Sequence, residues 1–113
     1  MTDCLFCNMV SGAMAVEKLY EDELVFAIRD IHPRAPVHFM VIPKEHIPTA
    51  MDIEERHGPL LTKMIAVANE VAYREGTGER GYRLAVNVGK GGGQLIKHVH
   101  MHVLGGRTLG PEG

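Results

Sequence analysis

The sequence lacks tryptophan and contains few aromatic residues of any kind. Phe, Trp and Tyr together make up 5% of the 113 residues, whereas 45% of the residues are apolar. The core must therefore be aliphatic, built from Val, Leu, Ile, Ala and the seven Met residues. This apolar fraction is ordinary for a globular protein, and the length predicts a single domain over residues 1–113 with one hydrophobic core.

Excess positive charge and long apolar runs are also missing, and their absence excludes two classes of partner. Lys and Arg total 12 against 14 Asp and Glu, a formal charge of −2, so the chain has no basic field for nucleic acid. Its apolar runs are far too short to span a membrane, and no polybasic segment would anchor it to one. The segment from Met1 to Cys4 lacks the features of a signal peptide, so we expect a cytoplasmic protein.

The hydrophobic pattern predicts an α+β domain with a five-stranded, mainly antiparallel sheet. One long helix begins at Pro59, which suits a first helical position, and ends before Gly76. A short helix is predicted at the N-terminus over residues 3–10. The strands are predicted over residues 19–22, 24–29, 37–43, 81–88 and 98–104. Residues 105–113 have no periodicity and predict an irregular tail.

The predicted long helix has a wider apolar stripe than contact with one sheet needs. The stripe consists of two neighbouring rows: Leu60, Met64, Val67 and Val71, and Leu61, Ile65, Ala68 and Ala72. A second packing partner would explain the excess, and a symmetric dimer is the commonest way to supply one. We therefore expect a homodimer joined through this helix and an edge strand.

Three of the seven histidines stand at alternate positions near the C-terminus: His98, His100 and His102. Val99, Met101 and Val103 complete the alternation. On a β-strand this spacing places three imidazoles on one face and three apolar side chains on the other. One histidine in a strand is common, but three in register are not, so the row indicates a chemical function.

Three interpretations suit this row of imidazoles. A metal site is one, although three aligned histidines span about 13 Å and one tetrahedral ion cannot easily bind them all. Nucleophilic catalysis is the second, with one imidazole attacking while its neighbours orient it. The third is a half-buried strand with a polar face. The glycines of segment 89–93 favour the second, because their backbone N–H groups could surround a phosphate, with Asn87 as a further donor.

The segment from His98 to Leu104 fits the His-φ-His-φ-His-φ-φ signature (φ is apolar), and the chain resembles the histidine triad (HIT) superfamily. Segments 30–44, 92–94 and 104–107 resemble its Hint branch, so that the likeness covers nearly the whole chain. The resemblance implies a HIT-like fold and hydrolysis of purine nucleoside phosphoramidates to AMP or GMP and an amine. The reaction would pass through a nucleotidyl-histidine intermediate and would need no metal.

The resemblance also implies a role for each matching residue. His100 would attack the α-phosphorus, and His102 would contact the phosphate and the leaving group. His98 would orient the nucleophile through hydrogen bonds together with the fourth histidine, His38. Asp30 would bind the ribose hydroxyls. The phosphate-side residues would be Asn87, Gly93 and Gln94, and the base pocket would consist of Leu5, Phe6, Met9, Ile28 and Ile31.

The chain departs from the resemblance at Leu95, where many Hint proteins have serine. A leucine cannot hydrogen-bond to the phosphate or the leaving amine, so Leu95 is placed outside the predicted site. We expect a lower phosphoramidase rate or a different preference for the leaving group.

The two cysteines, Cys4 and Cys7, are too close in sequence to cross-link the fold, and a reducing compartment predicts no disulfide. A similar pair holds zinc, with two histidines, in some bacterial histidine triad proteins and in galactose-1-phosphate uridylyltransferases. Here the resemblance implies structural zinc on Cys4, Cys7, His46 and His98. This role of His98 competes with the one above, because a metal-bound nitrogen cannot also accept a hydrogen bond from His38.

Two other functions stay open at this point. The chain could hydrolyse dinucleoside polyphosphates, as the neighbouring Fhit branch does, or it could be a nucleotide-binding regulatory module with little catalysis. The remaining histidines, His32 and His57, lie in polar segments and are predicted to be solvated.

Overall fold

A five-stranded antiparallel sheet with a helix on each face forms the structure, a computed structural model that describes residues 2–113. The strands are β1 (Tyr20–Glu21), β2 (Val25–Arg29), β3 (Val37–Pro43), β4 (Tyr82–Ala85) and β5 (Met101–Gly105). They lie in the order β1-β2-β3-β5-β4, and every neighbouring pair is antiparallel. The helices are α1 (Leu5–Ser11) and α2 (Gly58–Arg74). The predicted α+β fold is confirmed.

The central strand β3 separates two apolar clusters. Its odd-numbered side chains, such as Phe39 and Val41, pack with Met101 and Val103 of β5 against α2. Its even-numbered side chains, Met40 and Ile42, face the other way and pack against Phe6 and Met9 of α1. Because strand side chains alternate between faces, the even-numbered histidines belong to the α1 side of the sheet.

Helix α2 begins and ends where the sequence predicts. Pro59 lies in its first turn, and Gly76 just beyond its end adopts φ +89°, a conformation that favours glycine. One face of the helix is buried in the chain's own core through Leu60, Met64, Val67, Ala68, Val71 and Ala72. Ile65 is 44% exposed and Leu61 is half-buried. Most of the double stripe thus has a partner within the chain, which leaves a narrower apolar surface than the pattern suggested.

Two 3-10 turns, Ala50–Asp52 and Glu55–His57, connect β3 to α2. The prediction that His57 is solvated is wrong, because its side chain is only 3% exposed. Its Nδ1 accepts the Glu54 backbone N–H at 2.8 Å, and its Nε2 lies 3.3 Å from the Glu45 carboxylate. The His57 side chain therefore caps the 3-10 turn to which it belongs, and this contact buries it. His32 is exposed, as predicted.

The two C-terminal strands are shorter than predicted. Strand β4 ends at Ala85, and β5 begins only at Met101, because the Val99 N–H bonds to the Ile47 carbonyl at 2.8 Å instead of joining the β3 ladder. The predicted alternation still holds, with Val99 buried on the α2 side. Residues 106–113 are irregular, as expected. Among the described residues no helix has the length and apolarity needed to cross a bilayer.

Candidate active site

A cavity of about 510 Å³ opens between α1, the sheet and the glycine-rich loop before β5. This volume suits a small-molecule ligand. The apolar lining residues are Leu5, Phe6, Met9, Val16, Ile28, Ile31, Met40, Leu95 and Ile96. The remaining lining residues are Arg29, Asp30, His32, Arg34, Asn87, Gly93, His100 and His102. The cavity therefore combines an apolar wall with a polar end, and all five predicted base-pocket residues line it.

His100 is held in one tautomer by a backbone carbonyl. Its Nδ1 lies 2.8 Å from the carbonyl oxygen of His98, and a carbonyl only accepts hydrogen bonds, so Nδ1 carries the proton. In the neutral ring this leaves a lone pair on Nε2. The Phe6 ring packs edge-on against the imidazole at 5.2 Å between centroids. The arrangement holds a buried imidazole with an unprotonated nitrogen in the wall of the cavity.

His102 is fixed in the opposite tautomer through His38. The Arg34 backbone N–H donates to His38 Nδ1 at 3.1 Å, so a neutral His38 carries its proton on Nε2. That nitrogen lies 2.9 Å from His102 Nδ1 and 3.4 Å from Asp30 Oδ2. His102 Nδ1 therefore accepts, and its proton is on Nε2. His102 thus presents a hydrogen-bond donor in the cavity, whereas His100 presents an unprotonated nitrogen.

Burial keeps His38 and His102 neutral near pH 7. Desolvation by burial lowers the pKa of His38. Burial and the neighbouring rings of His100 and His38 lower the pKa of His102 to about 4. Asp30 acts in the opposite direction on both, but burial outweighs it. Neutral rings at His38 and His102 are what the hydrogen bonds described for these residues require.

The predicted link between His98 and His38 is wrong. The antiparallel ladder pairs His38 with Leu104 and Met40 with His102, so His38 lies diagonally across from His102. Leu104 is six residues from His98, a separation of about 20 Å along an extended chain. His98 contacts His100 through its backbone carbonyl instead.

The His98 side chain lies in a second cluster with Cys4, Cys7 and His46. Its Nδ1 is 3.3 Å from Cys4 Sγ, 3.7 Å from Cys7 Sγ and 3.1 Å from His46 Nδ1. Cys7 Sγ lies 3.2 Å from His46 Nδ1. Cys4 is the N-cap of α1 and Cys7 lies one turn later, so the helix presents both sulfurs on one side.

These four residues fit a tetrahedral metal centre. The four potential ligand atoms all lie within 4.8 Å of one another. Sulfur and imidazole ligands bound to zinc stand about 3.3–3.8 Å apart, given bond lengths of about 2.0–2.3 Å. The ring nitrogen of His98 that faces away, Nε2, donates to the Pro43 carbonyl at 2.7 Å, which leaves Nδ1 free to bind a metal.

The glycine-rich loop differs from the predicted phosphate-binding nest. Of its residues, Gly93 lines the cavity but Gln94 does not. The Gln94 amide donates to the Pro48 carbonyl at 2.7 Å and its oxygen accepts the Gly89 N–H at 2.9 Å. The N–H groups of Gly92 and Gly93 bond to carbonyls within the loop. Gln94 therefore shapes the loop, and these amides are already engaged.

Sequence reasoning excluded or missed several lining residues. Leu95 was placed outside the site, but it lies at the rim of the cavity with 93% of its surface exposed. Met40 could have been found, since it follows His38 by two positions on the same face of β3. His32 and Arg34 lie in the same proline-containing loop as Asp30, the residue that the sequence analysis assigned to the ribose hydroxyls. Val16, Arg29 and Ile96 carried no signal.

Comparison with known proteins identifies the family of the chain. The HIT domain family matches residues 12–109. Purine nucleoside phosphoramidase of Escherichia coli K12 is 44% identical over 109 residues, which cover 96% of this chain and 92% of that protein. A HIT family hydrolase from Legionella pneumophila superposes with a TM-score of 0.91 at 43% identity, over 94% of this chain and 95% of that one. A histidine triad protein from Clostridium difficile gives 0.93 at 35% identity, over 100% and 98%. The chain therefore belongs to the HIT domain family and is an enzyme of that family.

Proposed function

We propose that this enzyme hydrolyses purine nucleoside phosphoramidates through a covalent nucleotidyl intermediate on His100. The observation that carries the proposal is the hydrogen bond from His100 Nδ1 to the His98 carbonyl, which leaves Nε2 able to attack in the wall of the cavity. The similarity to a purine nucleoside phosphoramidase supports the substrate class.

The first step forms a bond between His100 Nε2 and the α-phosphorus while the P–N bond breaks. The nitrogen leaves with the electron pair and accepts a hydrogen bond from His102 Nε2–H, the ring atom that the His38 contact leaves protonated. Water supplies the proton that completes the amine. The hydroxide equivalent that remains attacks phosphorus and frees His100. Over both steps one water is consumed: its oxygen goes to phosphorus, one proton goes to the amine, and the other remains with the nucleotide.

The other lining residues divide along the substrate. The Asp30 carboxylate suits the vicinal ribose hydroxyls, and Asn87 and Gly93, which line the same cavity as His100, are assigned to the phosphate. The apolar wall that includes Phe6 and Ile28 suits a flat purine. Gln94 is assigned to loop structure and not to phosphate contact.

We further propose that Cys4, Cys7, His46 and His98 hold a structural zinc ion. The ion would join the start of α1, through Cys4 and Cys7, to the segments that carry His46 and His98. The proposed reaction would not require the ion. Metal analysis of protein purified without chelator tests this. Near-stoichiometric zinc is expected, and its absence would count heavily against the assignment.

A homodimer and a cytoplasmic location remain predictions. Ile65 on α2 and the partly exposed Leu84, Val86 and Val88 at the β4 edge of the sheet are compatible with an interface between copies. Sedimentation of the wild type and of Ile65→Glu tests the dimer. A small-molecule partner is expected, and neither nucleic acid nor a membrane.

The test of the proposed function is a comparison of substrates. Wild-type enzyme is expected to hydrolyse adenosine and guanosine phosphoramidates faster than diadenosine polyphosphates. Faster cleavage of the diadenosine compounds would favour a dinucleoside polyphosphate hydrolase. Tight AMP binding without turnover of either class would indicate a regulatory module and would overturn the proposal.

A further inference from the structure

Arg34 lines the cavity, but the proposed mechanism gives it no task. The cavity's other guanidinium, Arg29, is paired with Glu17 at 3.3 Å and with Glu75 at 3.1 Å. The Arg34 side chain is exposed, and within residues 2–113 it forms no ion pair with a carboxylate. The cavity thus contains one cation already neutralised and one available for a ligand.

The backbone of Arg34 is fixed on both sides. Its N–H donates to His38 Nδ1 at 3.1 Å, and its carbonyl accepts from Arg107 Nη2 at 3.1 Å. Pro33 precedes it and Pro36 follows shortly after, which restricts the loop further. The guanidinium is therefore carried by a rigid segment at the histidine end of the cavity.

The charge of Arg34 acts at that end. It contributes to the lowered pKa of both His38 and His102, in opposition to Asp30. Asp30 is the only carboxylate among the described residues that line the cavity, and its Oδ1 is already engaged by the His32 N–H at 2.8 Å. A ligand in this cavity would therefore meet the Asp30 carboxylate beside His102 and, separately, a guanidinium that forms no ion pair with a carboxylate of the described residues.

We propose that Arg34 binds a second anionic group of the substrate, separate from the phosphate that His100 attacks. This inference rests on the proposed function. A guanidinium suits a carboxylate or a phosphate, because its planar fork can donate two parallel hydrogen bonds to either. The anion could be a carboxylate on the leaving amine or a phosphate on the ribose, since Arg34 shares a loop with Asp30.

The experiment measures equilibrium binding to the His100→Ala variant, which holds the conjugates without turning them over. Two sets of ligands are used, and within each set the ligands differ by one anionic group. AMP joined through nitrogen to glycine is compared with the glycinamide conjugate, and adenosine 2′,5′- and 3′,5′-bisphosphates are compared with AMP. In His100→Ala, the preference for the ligand with the additional anion over the ligand without it is expected to be about tenfold larger than in His100→Ala/Arg34→Gln, for one of the two sets.

The outcomes separate the two sources of the anion. Loss of the carboxylate preference in the Arg34→Gln protein places the anion on the leaving group, and loss of the bisphosphate preference places it on the ribose. Arg34→Lys, which keeps the charge but not the fork, is expected to retain part of the preference. The inference would be overturned if Arg34→Gln left both preferences unchanged. It would also be overturned if His100→Ala with Arg34 intact bound none of the ligands.

The matched control is Arg74→Gln, which removes one positive charge from α2 on the opposite face of the sheet. It is expected to leave both affinity ratios unchanged. Failure of the proposed function is a different result: wild-type enzyme that binds the glycine conjugate without releasing glycine. The binding ratios would still decide the role of Arg34 in that case.

Discussion

Two groups of histidines lie side by side in this protein and differ in chemistry. In the cavity, His100 presents an unprotonated Nε2 and His102 a protonated one. In the cluster of Cys4, Cys7, His46 and His98, the His98 imidazole presents an unprotonated Nδ1 to two sulfurs. All three rings come from one alternating run. A backbone group decides each tautomer: the His98 carbonyl, the Arg34 N–H acting through His38, and the Pro43 carbonyl.

The two groups meet at His98. Its side chain belongs to the cysteine cluster, whereas its carbonyl orients His100. Phe6, which lies between Cys4 and Cys7 in the sequence, packs edge-on against the His98 ring at a centroid distance of 5.6 Å and against the His100 ring at 5.2 Å. None of the four cluster residues lines the cavity, so we expect the cluster to hold His100 in place without contacting substrate. The following variants separate this positioning effect from the chemistry.

The largest effect is expected from His100→Ala. Turnover of adenosine phosphoramidate should fall on the order of 10⁴-fold or more, since the proposed mechanism has no other group that forms the covalent bond. Metal content and melting temperature should stay at wild-type values, because the His98 imidazole is untouched. Steady-state rates and metal analysis of the same preparation check this. Retained wild-type activity would remove His100 from the mechanism.

Cys7→Ser is expected to act mainly on the cluster of Cys4, Cys7, His46 and His98. It should lose bound zinc and several degrees of melting temperature, because the ion would join α1 to His46 and His98. Turnover should fall about tenfold through poorer orientation of His100. Thermal unfolding with and without chelator measures the first effect. Ser11→Ala, at the exposed end of α1, is the control, and an unchanged zinc content in Cys7→Ser would contradict the ligand assignment.

The pH dependence of stability should report the cavity group. The folded-state pKa of His102 is about 4, below the ordinary value of 6.5. Between these values the unfolded chain binds a proton here and the folded chain does not, so stability falls as pH drops from about 6.5 to about 4. The contribution is about 2 kcal/mol between pH 7 and pH 5.

Urea unfolding of the wild type and of His102→Gln at both pH values isolates this contribution. The variant should lose much of the dependence, whereas His32→Gln, which alters an exposed histidine, should keep it. Equal pH dependence in all three proteins would mean that His102 is not buried in its neutral form.

Leu95→Ser should give the smallest effect. The side chain is 93% exposed at the rim of the cavity, so stability and metal content should not change. A serine could hydrogen-bond to the phosphate or the leaving amine, and kcat/KM should change several-fold, by an amount that depends on the amine. Identical kinetics across amines of different polarity would argue against any role for Leu95.

Much of the fold followed from periodicity and from proline and glycine positions. The alternation from His98 to Val103 predicted which side chains share a face, and Pro59 and Gly76 marked the long helix. These features are local in sequence, so sequence alone could carry them. The resemblance, in turn, supplied the base-pocket residues and the cysteine–histidine cluster that the structure brings together.

The features that failed depend on register and on competition between partners. His38 bonds to His102 and not to His98 because of the pairing between β3 and β5. Strand β5 starts late because Ile47 takes the Val99 N–H. Gln94 turns away from the cavity because the Pro48 carbonyl and the Gly89 N–H hold its side chain. None of these contacts leaves a pattern in the sequence.

We expect that His100, alone among the seven histidines, becomes covalently bonded to the nucleotide. Rapid quenching of enzyme with adenosine phosphoramidate, followed by peptide mass spectrometry under conditions that preserve phosphohistidine, tests it directly. A burst of AMP-modified enzyme, with the label on His100, is expected. A label on another histidine, or turnover under the same conditions with no labelled enzyme, would contradict it.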